Sequence, residues 1–194
     1  MTMRGFTLLE ILITLIILAV GMLGLANLQS KIHVTEIESY QRANAVLLLQ
    51  DMVDRLKTNR ANAADYASDD ELGTATEEDC TAATLNGIAN PGKKLAASDR
   101  CLWSSALLGA SEQRNGASSG GMIGARGCIE QVQAPDATVG VCTPGIYRVT
   151  VAWQGLHRTA APVLECGKDQ YGDDTQRRVI STELTIGLPR CASP

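Results

Sequence analysis

The 194-residue sequence is poor in aromatic residues, which make up 4% of it, and it has one phenylalanine. A core with so few large rings is modest and needs further stabilisation. The sequence also has no excess of basic residues, since its net charge is −4, and it therefore gives no basic footprint for nucleic acid. After Phe6 no proline occurs before Pro91, so no proline breaks a helix over that length.

Cysteine, in contrast, occurs six times, and every cysteine lies well downstream of an apolar first stretch. Disulfides persist in oxidising compartments such as the periplasm or the cell surface, so this order predicts a membrane segment followed by an exported domain. No CxxC spacing occurs and the two histidines are isolated, so we expect structural disulfides, no metal and no cofactor. Sequence alone does not choose among the possible pairings; we predict sequential bonds, Cys80–Cys101, Cys128–Cys142 and Cys166–Cys191.

The first stretch holds a lone acid inside an apolar segment. A short leader with one basic residue ends at Gly5, Phe6 follows, and Glu10 then stands in a run of mostly apolar residues that continues to Ala26. A carboxylate within a membrane helix costs roughly 2.5–3.5 kcal/mol on insertion scales. We therefore expect Glu10 to have a partner.

Two ordinary interpretations account for part of this stretch. A cleaved secretory signal peptide would use the small-x-small site at residues 24–26, but the apolar run is long for such a peptide and Glu10 interrupts it. A plain transmembrane anchor fits the length, because about 20 apolar residues span a bilayer. The anchor leaves Glu10 unexplained.

The residues Gly5-Phe6-Thr7-Leu8-Leu9-Glu10 resemble the leader junction of type IV prepilins and pseudopilins. In that family prepilin peptidase, a membrane-embedded aspartyl enzyme, cuts after the glycine and methylates the new amino terminus. The resemblance implies a leader at residues 1–5, cleavage between Gly5 and Phe6, and N-methylation of Phe6. It also implies an assembly role for Glu10, because the glutamate of that family pairs with the terminal amine of a neighbouring subunit.

Two later segments narrow the resemblance, since residues 21–29 and 45–60 resemble the PilV-like minor pilins. This implies a structural minor subunit of a type IV pilus that contributes to the initiation of pilus assembly and to the tip complex. The implied partners are prepilin peptidase, other minor and major pilins, and a non-pilin tip adhesin. The implied location is single-pass in the inner membrane with a periplasmic head before assembly, and afterwards the extracellular pilus fibre near its tip.

Two alternatives stay open at this point. A type II secretion pseudopilin shares the leader junction, and a membrane-anchored periplasmic binding module would use the head as a receptor. An enzyme is not expected, because His33 lies on the predicted stem and His157 follows a predicted strand, with no nucleophile motif beside either residue.

The residue pattern and the resemblance together predict an α+β chain with the type IV pilin fold, in which a long N-terminal helix packs on a small antiparallel sheet with disulfides. The helix is expected from Phe6 to about Asn59, with a transmembrane and assembly half at 6–30 and an amphipathic half at 31–60. The apolar stripe of the second half comprises Ile37, Val46, Leu48, Leu49, Met52, Val53 and Leu56.

The periplasmic globular head is predicted at residues 61–194. Its first part, an acidic connector at 61–97, is interpreted as a solvated surface loop that Tyr66 and Leu72 hold to the head. The carboxylate spacing of a calcium loop is lacking there.

Further along, Ser98-Asp99 is predicted to cap a short helix, and the glycine-rich residues 115–127 are predicted to form a flexible surface loop. Alternating residues then predict antiparallel strands in a sheet region of about 126–188. The predicted strands are Cys128–Gln133, Ile146–Trp153 and Val179–Ile186.

Overall fold

The computed structural model describes residues 7–74, 80, 85–109, 113–114, 117–118 and 122–188. Three residues of the predicted sites, Gly5, Phe6 and Cys191, lie outside these ranges. The chain divides into two compact units, Met1–Tyr40 and Gln41–Pro194. We refer to the first as the N-terminal unit and to the second as the globular unit.

The first helix, α1, runs from Leu8 to Thr58, a length of 51 residues. At 1.5 Å per residue it is about 77 Å long, as the lack of proline predicts. Its last residue confirms the predicted boundary near Asn59. Helix α1 is long and apolar enough to cross a membrane by length and composition, and its apolar window has a mean hydropathy of 2.6.

Four strands form the main antiparallel sheet of the globular unit, in the spatial order β1 (Ser68–Leu72), β4 (Arg126–Gln133), β5 (Gly145–Gln154) and β6 (Arg177–Ile186). Its three long strands are β4, β5 and β6. They confirm the three predicted strands, and β5 and β6 pair residue by residue over their whole length. The sheet and the long helix together give the predicted α+β, type IV pilin-like architecture.

The edge strand β1 (Ser68–Leu72) lies inside the segment predicted as a solvated loop, so that prediction is wrong for these residues. The strand contains three consecutive acidic residues, 69–71, and such a run lacks the alternation of apolar and polar residues that predicts a strand. An edge strand tolerates such charges because one of its sides is not paired within the sheet. The two predicted anchors are confirmed, since Tyr66 is 0% and Leu72 is 8% exposed.

The glycine-rich segment predicted as a flexible loop contains regular structure. A two-stranded ladder joins β2 (Gln113–Arg114) to β3 (Ala117–Ser118), and Met122 and Ala125 are buried in the core. The prediction is therefore wrong for the later part of the segment. Residues 115–116 and 119–121 lie outside the described residues.

Helix α2 (Pro91–Leu107) begins earlier than predicted. The side chain of Asn90 accepts hydrogen bonds from two backbone N–H groups of the first helical turn, at 2.9 and 3.2 Å. Proline follows at the first helical position, where its missing N–H group costs no hydrogen bond. The predicted cap, Ser98-Asp99, lies inside the helix instead, so that prediction is wrong.

The core of the globular unit confirms the apolar stripe of α1 from Leu48 onward. Ile37 and Val46 do not belong to the buried face, because they are 48% and 38% exposed. Val46 lies one position beyond the buried series that starts at Gln41 and Ala45, and Ile37 lies in the N-terminal unit. Large buried members of the core are Leu49, Met52, Leu56, Trp103, Leu107, Tyr147, Val149, Val151 and Trp153.

A partly buried polar group, here called the Asp99 cluster (Asp51, Arg55, Asn59, Tyr66 and Asp99), joins α1 to α2 in the globular unit. Arg55 donates hydrogen bonds to Asp51 at 3.0 Å and to Asp99 at 2.8 Å. The hydroxyl of Tyr66 donates to the second oxygen of Asp99 at 2.5 Å. Asn59 donates to the Tyr66 hydroxyl at 3.3 Å, so each member is connected to another.

The electrostatics of the Asp99 cluster follow from its burial. Asp99 is 7% exposed, and an unpaired carboxylate at such a position would be strongly destabilising. Burial raises the pKa of Tyr66, and the hydrogen bond to the Asp99 carboxylate raises it further. Burial alone would lower the pKa of Arg55, but the hydrogen bonds to Asp51 and Asp99 outweigh it and the pKa is raised. Arg55 is therefore charged and Tyr66 protonated at neutral pH.

The Tyr66→Phe variant tests the cluster. It removes the hydroxyl and leaves one buried oxygen of Asp99 without this donor, so we expect the free energy of unfolding to fall by about 1–3 kcal/mol. Denaturant unfolding of Tyr66→Phe, Asp99→Asn and the double variant gives the coupling energy of the pair. A coupling energy near zero contradicts a direct stabilising bond.

Two disulfides join described cysteines. Cys80–Cys101 confirms the first predicted pair. Cys128 bonds to Cys166, so the predicted bonds Cys128–Cys142 and Cys166–Cys191 are both wrong.

Strand length explains the error. Cys128 lies opposite Thr150 of β5, whereas Cys142 precedes Gly145, the first residue of that strand. The five residue steps from Gly145 to Thr150 extend about 17 Å. A disulfide requires the two Cα atoms to lie within roughly 7 Å, so nearness in sequence does not bring these two cysteines together.

The third disulfide is a prediction. Four of the six cysteines pair as above, and Cys142 is also disulfide-bonded, which leaves Cys191 as its partner by elimination. Digestion without reduction, followed by mass spectrometry, is expected to give a peptide pair linked through Cys142 and Cys191. A Cys142 peptide that reacts with an alkylating reagent before reduction contradicts this bond.

Candidate functional site

The first turn of α1 is capped by Thr7. Its side-chain oxygen accepts a hydrogen bond from the backbone N–H of Glu10 at 3.3 Å, and its carbonyl oxygen accepts from Glu10 and Ile11 at 3.1 and 3.3 Å. Thr-x-x-Glu is the spacing of a capping box, in which the acid also bonds back to the capping residue. The described atoms form only the threonine half of this box, so Glu10 keeps its carboxylate for another partner.

Large apolar side chains make up most of the exposed helix surface around Glu10. All described residues from Thr7 to His33 are exposed, and the large apolar side chains in this part of the N-terminal unit are 45% to 88% exposed. They are Leu8, Leu9, Ile11, Leu12, Ile13, Leu15, Ile16, Ile17, Leu18, Val20, Met22, Leu23, Leu25, Leu28 and Ile32.

Glu10 has no counter-charge among the described residues of the N-terminal unit. The first basic side chain after it is Lys31, which lies about 32 Å further along the helix axis at 1.5 Å per residue. A carboxylate with such neighbours requires a cation from elsewhere once the apolar surface is covered. The helix N-terminus favours an acid locally, but this effect supplies only about 0.3–1 kcal/mol.

The comparison with known families concerns this segment. Residues 1–26 match the family model described as the prokaryotic N-terminal methylation motif, which is the leader motif of type IV pilin-type proteins. The motif supports a type IV pilin or pseudopilin, a class of structural proteins rather than enzymes. No curated protein and no solved structure matches the chain.

The matched motif and the described helix agree about the location of the N-terminal unit. The motif implies processing by prepilin peptidase and assembly with other pilins, and the exposed apolar helix fits anchoring in a membrane and packing in a pilus fibre. Of the predicted assembly residues, Glu10 lies in the described part of the helix. Gly5 and Phe6 lie within the matched residues but outside the described ones.

The globular unit contains a second hydrogen-bonded site, in which the Arg177 side chain holds the loop at residues 155–176. Arg177 is 1% exposed, and it donates to both carboxylate oxygens of Asp174 at 2.7 and 2.8 Å. Its other hydrogen bonds reach the carbonyl oxygens of Pro162 at 3.0 Å, Cys166 at 2.8 Å, and Leu164. All N–H donors of the guanidinium group are therefore used to fix this loop.

Three further contacts attach the 155–176 loop to the sheet. The Cys128–Cys166 disulfide ties it to β4, the Glu71 side chain of β1 accepts a hydrogen bond from the backbone N–H of Gly167 at 2.7 Å, and Tyr171 donates to the carbonyl of Gly124 at 2.9 Å. Burial raises the pKa of Tyr171 to about 12, so its hydroxyl remains a donor at neutral pH. Gly167 has a φ of +69°, a conformation that favours glycine.

The loop covers part of the sheet face that sequence alternation predicts to be polar. Thr150 is only 4% exposed and Ala152 is 0% exposed, although the alternation of β5 places both opposite the core face. The sequence analysis missed Arg177 as the organiser of this loop. The Arg-Arg pair after an acidic segment was a signal, but nothing local distinguishes the buried Arg177 from the partly buried Arg178.

The described residues contain one group with metal-ligand chemistry, formed by Glu71, Cys128 and Cys166. The two cysteines are bonded to each other, and a disulfide offers no thiolate for a metal ion. This group is therefore part of the loop attachment. The histidines are separated as well: His33 pairs with Glu36 at 3.3 Å in the N-terminal unit, and the carbonyl of His157 accepts a hydrogen bond from Arg178 in the globular unit.

The Asp174–Arg177 pair predicts an acid-sensitive loop. Hydrogen bonds from Arg177 hold the pKa of Asp174 below its ordinary value of 3.8. Because the folded-state pKa is lowered, the stabilisation is complete above the ordinary value and is lost as the pH falls through the lowered one. We expect the thermal unfolding midpoint to decline below about pH 4, and less steeply for Asp174→Asn. Equal acid-side slopes for the two proteins contradict a contribution from this pair.

Proposed function

We propose that the chain is a structural minor subunit of a type IV pilus, which contributes to the initiation of pilus assembly and to the tip complex. The observation that carries the proposal is Glu10, an acid on an exposed apolar helix within the methylation motif. Such a surface is stable where lipid or other apolar helices cover it and where a cation meets the carboxylate.

The assembly step begins with removal of the leader. Prepilin peptidase cleaves between Gly5 and Phe6 and methylates the amine of Phe6, which becomes a cation at the start of the helix. Phe6 precedes Glu10 by only four residues in the sequence, and a helix extended back to Phe6 would separate the two by about 6 Å along its axis. The amine of a neighbouring subunit is therefore the better partner. The pair offsets much of the desolvation cost of both charges.

Two glycines of α1 support close packing against other pilin helices. A Cβ atom added at Gly21 or Gly24 would meet no atom within 4 Å, so packing within the chain does not require either glycine. Each costs about 1 kcal/mol relative to alanine in a helix. Small residues let helix backbones approach each other in a membrane, which gives these positions a use in the assembled fibre.

The assignment to the minor pilins draws on residues 45–60, which resemble the PilV-like minor pilins. Three members of the Asp99 cluster, Asp51, Arg55 and Asn59, come from this segment at four-residue steps. The resemblance therefore includes polar residues with a structural role as well as an apolar anchor. The proposed partners are other minor and major pilins and a non-pilin tip adhesin, and the proposed location before assembly is the inner membrane with the globular unit in the periplasm.

A type II secretion pseudopilin is the second candidate, because the matched motif is common to pilins and pseudopilins. Both are fibre subunits with the same leader chemistry. The two assignments differ in the fibre that contains the chain.

The variants Glu10→Gln and Thr7→Ala separate charge pairing from helix capping. Glu10→Gln keeps the size and removes the charge, so we expect normal leader cleavage and roughly tenfold less chain in purified pili, since 1.4 kcal/mol corresponds to tenfold. Thr7→Ala removes a cap that contributes about 1 kcal/mol to the helix and keeps the charge, so we expect near-normal incorporation. Mass spectrometry of the amino terminus measures processing, and immunoblots of purified pili measure incorporation.

Equal losses in the two variants would mean that the Glu10 charge contributes no more to incorporation than the Thr7 cap, and would contradict the ion pair. Unchanged incorporation of Glu10→Gln would contradict the proposed ion pair. Absence of the wild-type chain from purified pili would contradict the pilus assignment and favour the pseudopilin.

A further inference from the structure

A groove of about 490 Å³ lies in the globular unit, between the 155–176 loop and the outer face of β1, β4 and β5. Residues 163–166 form one wall, and Asp69, Glu130 and Arg148 are among the polar residues on the other side. All of its lining residues belong to the globular unit, and neither the methylation motif nor the proposed assembly step uses it.

The loop wall of this groove is fixed before any partner arrives. Arg177 holds the carbonyl groups of Leu164 and Cys166, and the Cys128–Cys166 bond ties the same residues to β4. A partner that enters a preformed groove does not have to order the loop, which removes one of the usual costs of binding.

The charge of the groove is negative. Its one basic residue, Arg148, already bonds to Glu130 at 2.8 Å and to Glu183 at 2.6 Å. Glu165 at the rim pairs with Lys168 at 2.7 Å. Asp69 is exposed and has no basic side chain within ion-pair distance among the described residues. The groove therefore offers a carboxylate that no cation of this part of the chain neutralises.

An apolar side chain, Val163, lines the same groove as the Asp69 carboxylate. Val163 is 94% exposed, although the loop that carries it is held by Arg177 and a disulfide. Lysine and arginine side chains combine an apolar stem with a charged end. An aliphatic side chain and an unpaired carboxylate that line one groove match this combination.

We propose that the groove binds a lysine or arginine side chain from a basic segment of a partner protein, with its stem on Val163 and its charge at Asp69. A second copy of this chain is a poorer occupant, because two chains of net charge −4 repel each other. The proposal does not depend on leader cleavage or on Glu10, so its failure and the failure of the pilus assignment are distinguishable.

The test uses the full chain in lipid nanodiscs with ¹³C-labelled valine methyl groups. The probe is the peptide acetyl-Gly-Arg-Gly-amide, and the matched probe carries neutral citrulline in place of arginine. We expect a saturable NMR shift of the Val163 methyl groups, with at least about fivefold weaker binding of the citrulline peptide, which corresponds to about 1 kcal/mol. Val139, which is 73% exposed outside the groove, is expected to show no saturable shift.

Two variants test whether the arginine peptide binds at Asp69. Asp69→Asn is expected to weaken arginine-peptide binding by about fivefold, whereas Asp54→Asn, on an exposed acid outside the groove that pairs with Lys57, is expected to leave it unchanged. Equal binding of both peptides, equal effects of both variants, or no shift at Val163 overturns the proposal. A photo-crosslinker at position 163 in the native envelope that captures a second copy of this chain also overturns it.

Discussion

An ionised carboxylate among apolar side chains requires a counter-charge, and this requirement governs the N-terminal unit. Glu10 lies on a helix whose large apolar side chains are exposed around it, and the described part of that unit supplies no cation near it. Lipid or neighbouring helices can cover the apolar surface, but they do not neutralise the acid. This requirement supports the proposed ion pair between the Glu10 carboxylate and a terminal amine of another subunit.

Charges in the core of the globular unit also require partners, but here the partners come from the same chain. Asp99 receives hydrogen bonds from Arg55 and Tyr66, and Arg177 binds Asp174 and three carbonyl groups. Asp99 and Arg177 are therefore paired within the chain, whereas Glu10 of the N-terminal unit has no cation within ion-pair distance among the described residues. A chain built in this way can keep a stable globular unit before assembly and still depend on a neighbour for its helix.

Periodicity predicted the second half of α1 and the three long strands because each buries one regular face of side chains. The apolar run and the lack of proline predicted the first half of α1, which buries no face within the chain. Prediction failed where residues distant in sequence decide the outcome. The acids of β1 conceal an edge strand, the Cys128–Cys166 bond depends on the strand length that separates Cys142 from Cys128, and the burial of Thr150 depends on a loop that Arg177 holds. At the candidate site, the sequence alone singles out Glu10 as an acid in an apolar run, and its Thr-x-x-Glu spacing also indicates the Thr7 cap. The groove forms from residues that are distant in sequence, so it is visible only in the tertiary structure.

The most direct test of the central pair is a distance measurement in assembled fibres. Solid-state NMR would use fibres in which only this chain carries a ¹³C carboxylate at Glu10 and the other subunits carry ¹⁵N at their terminal amines. The account predicts a ¹³C–¹⁵N contact between chains, with the carboxylate oxygens within about 4 Å of the amine nitrogen. A Glu10 carboxylate that is protonated, or that contacts no amine of another subunit, would contradict it.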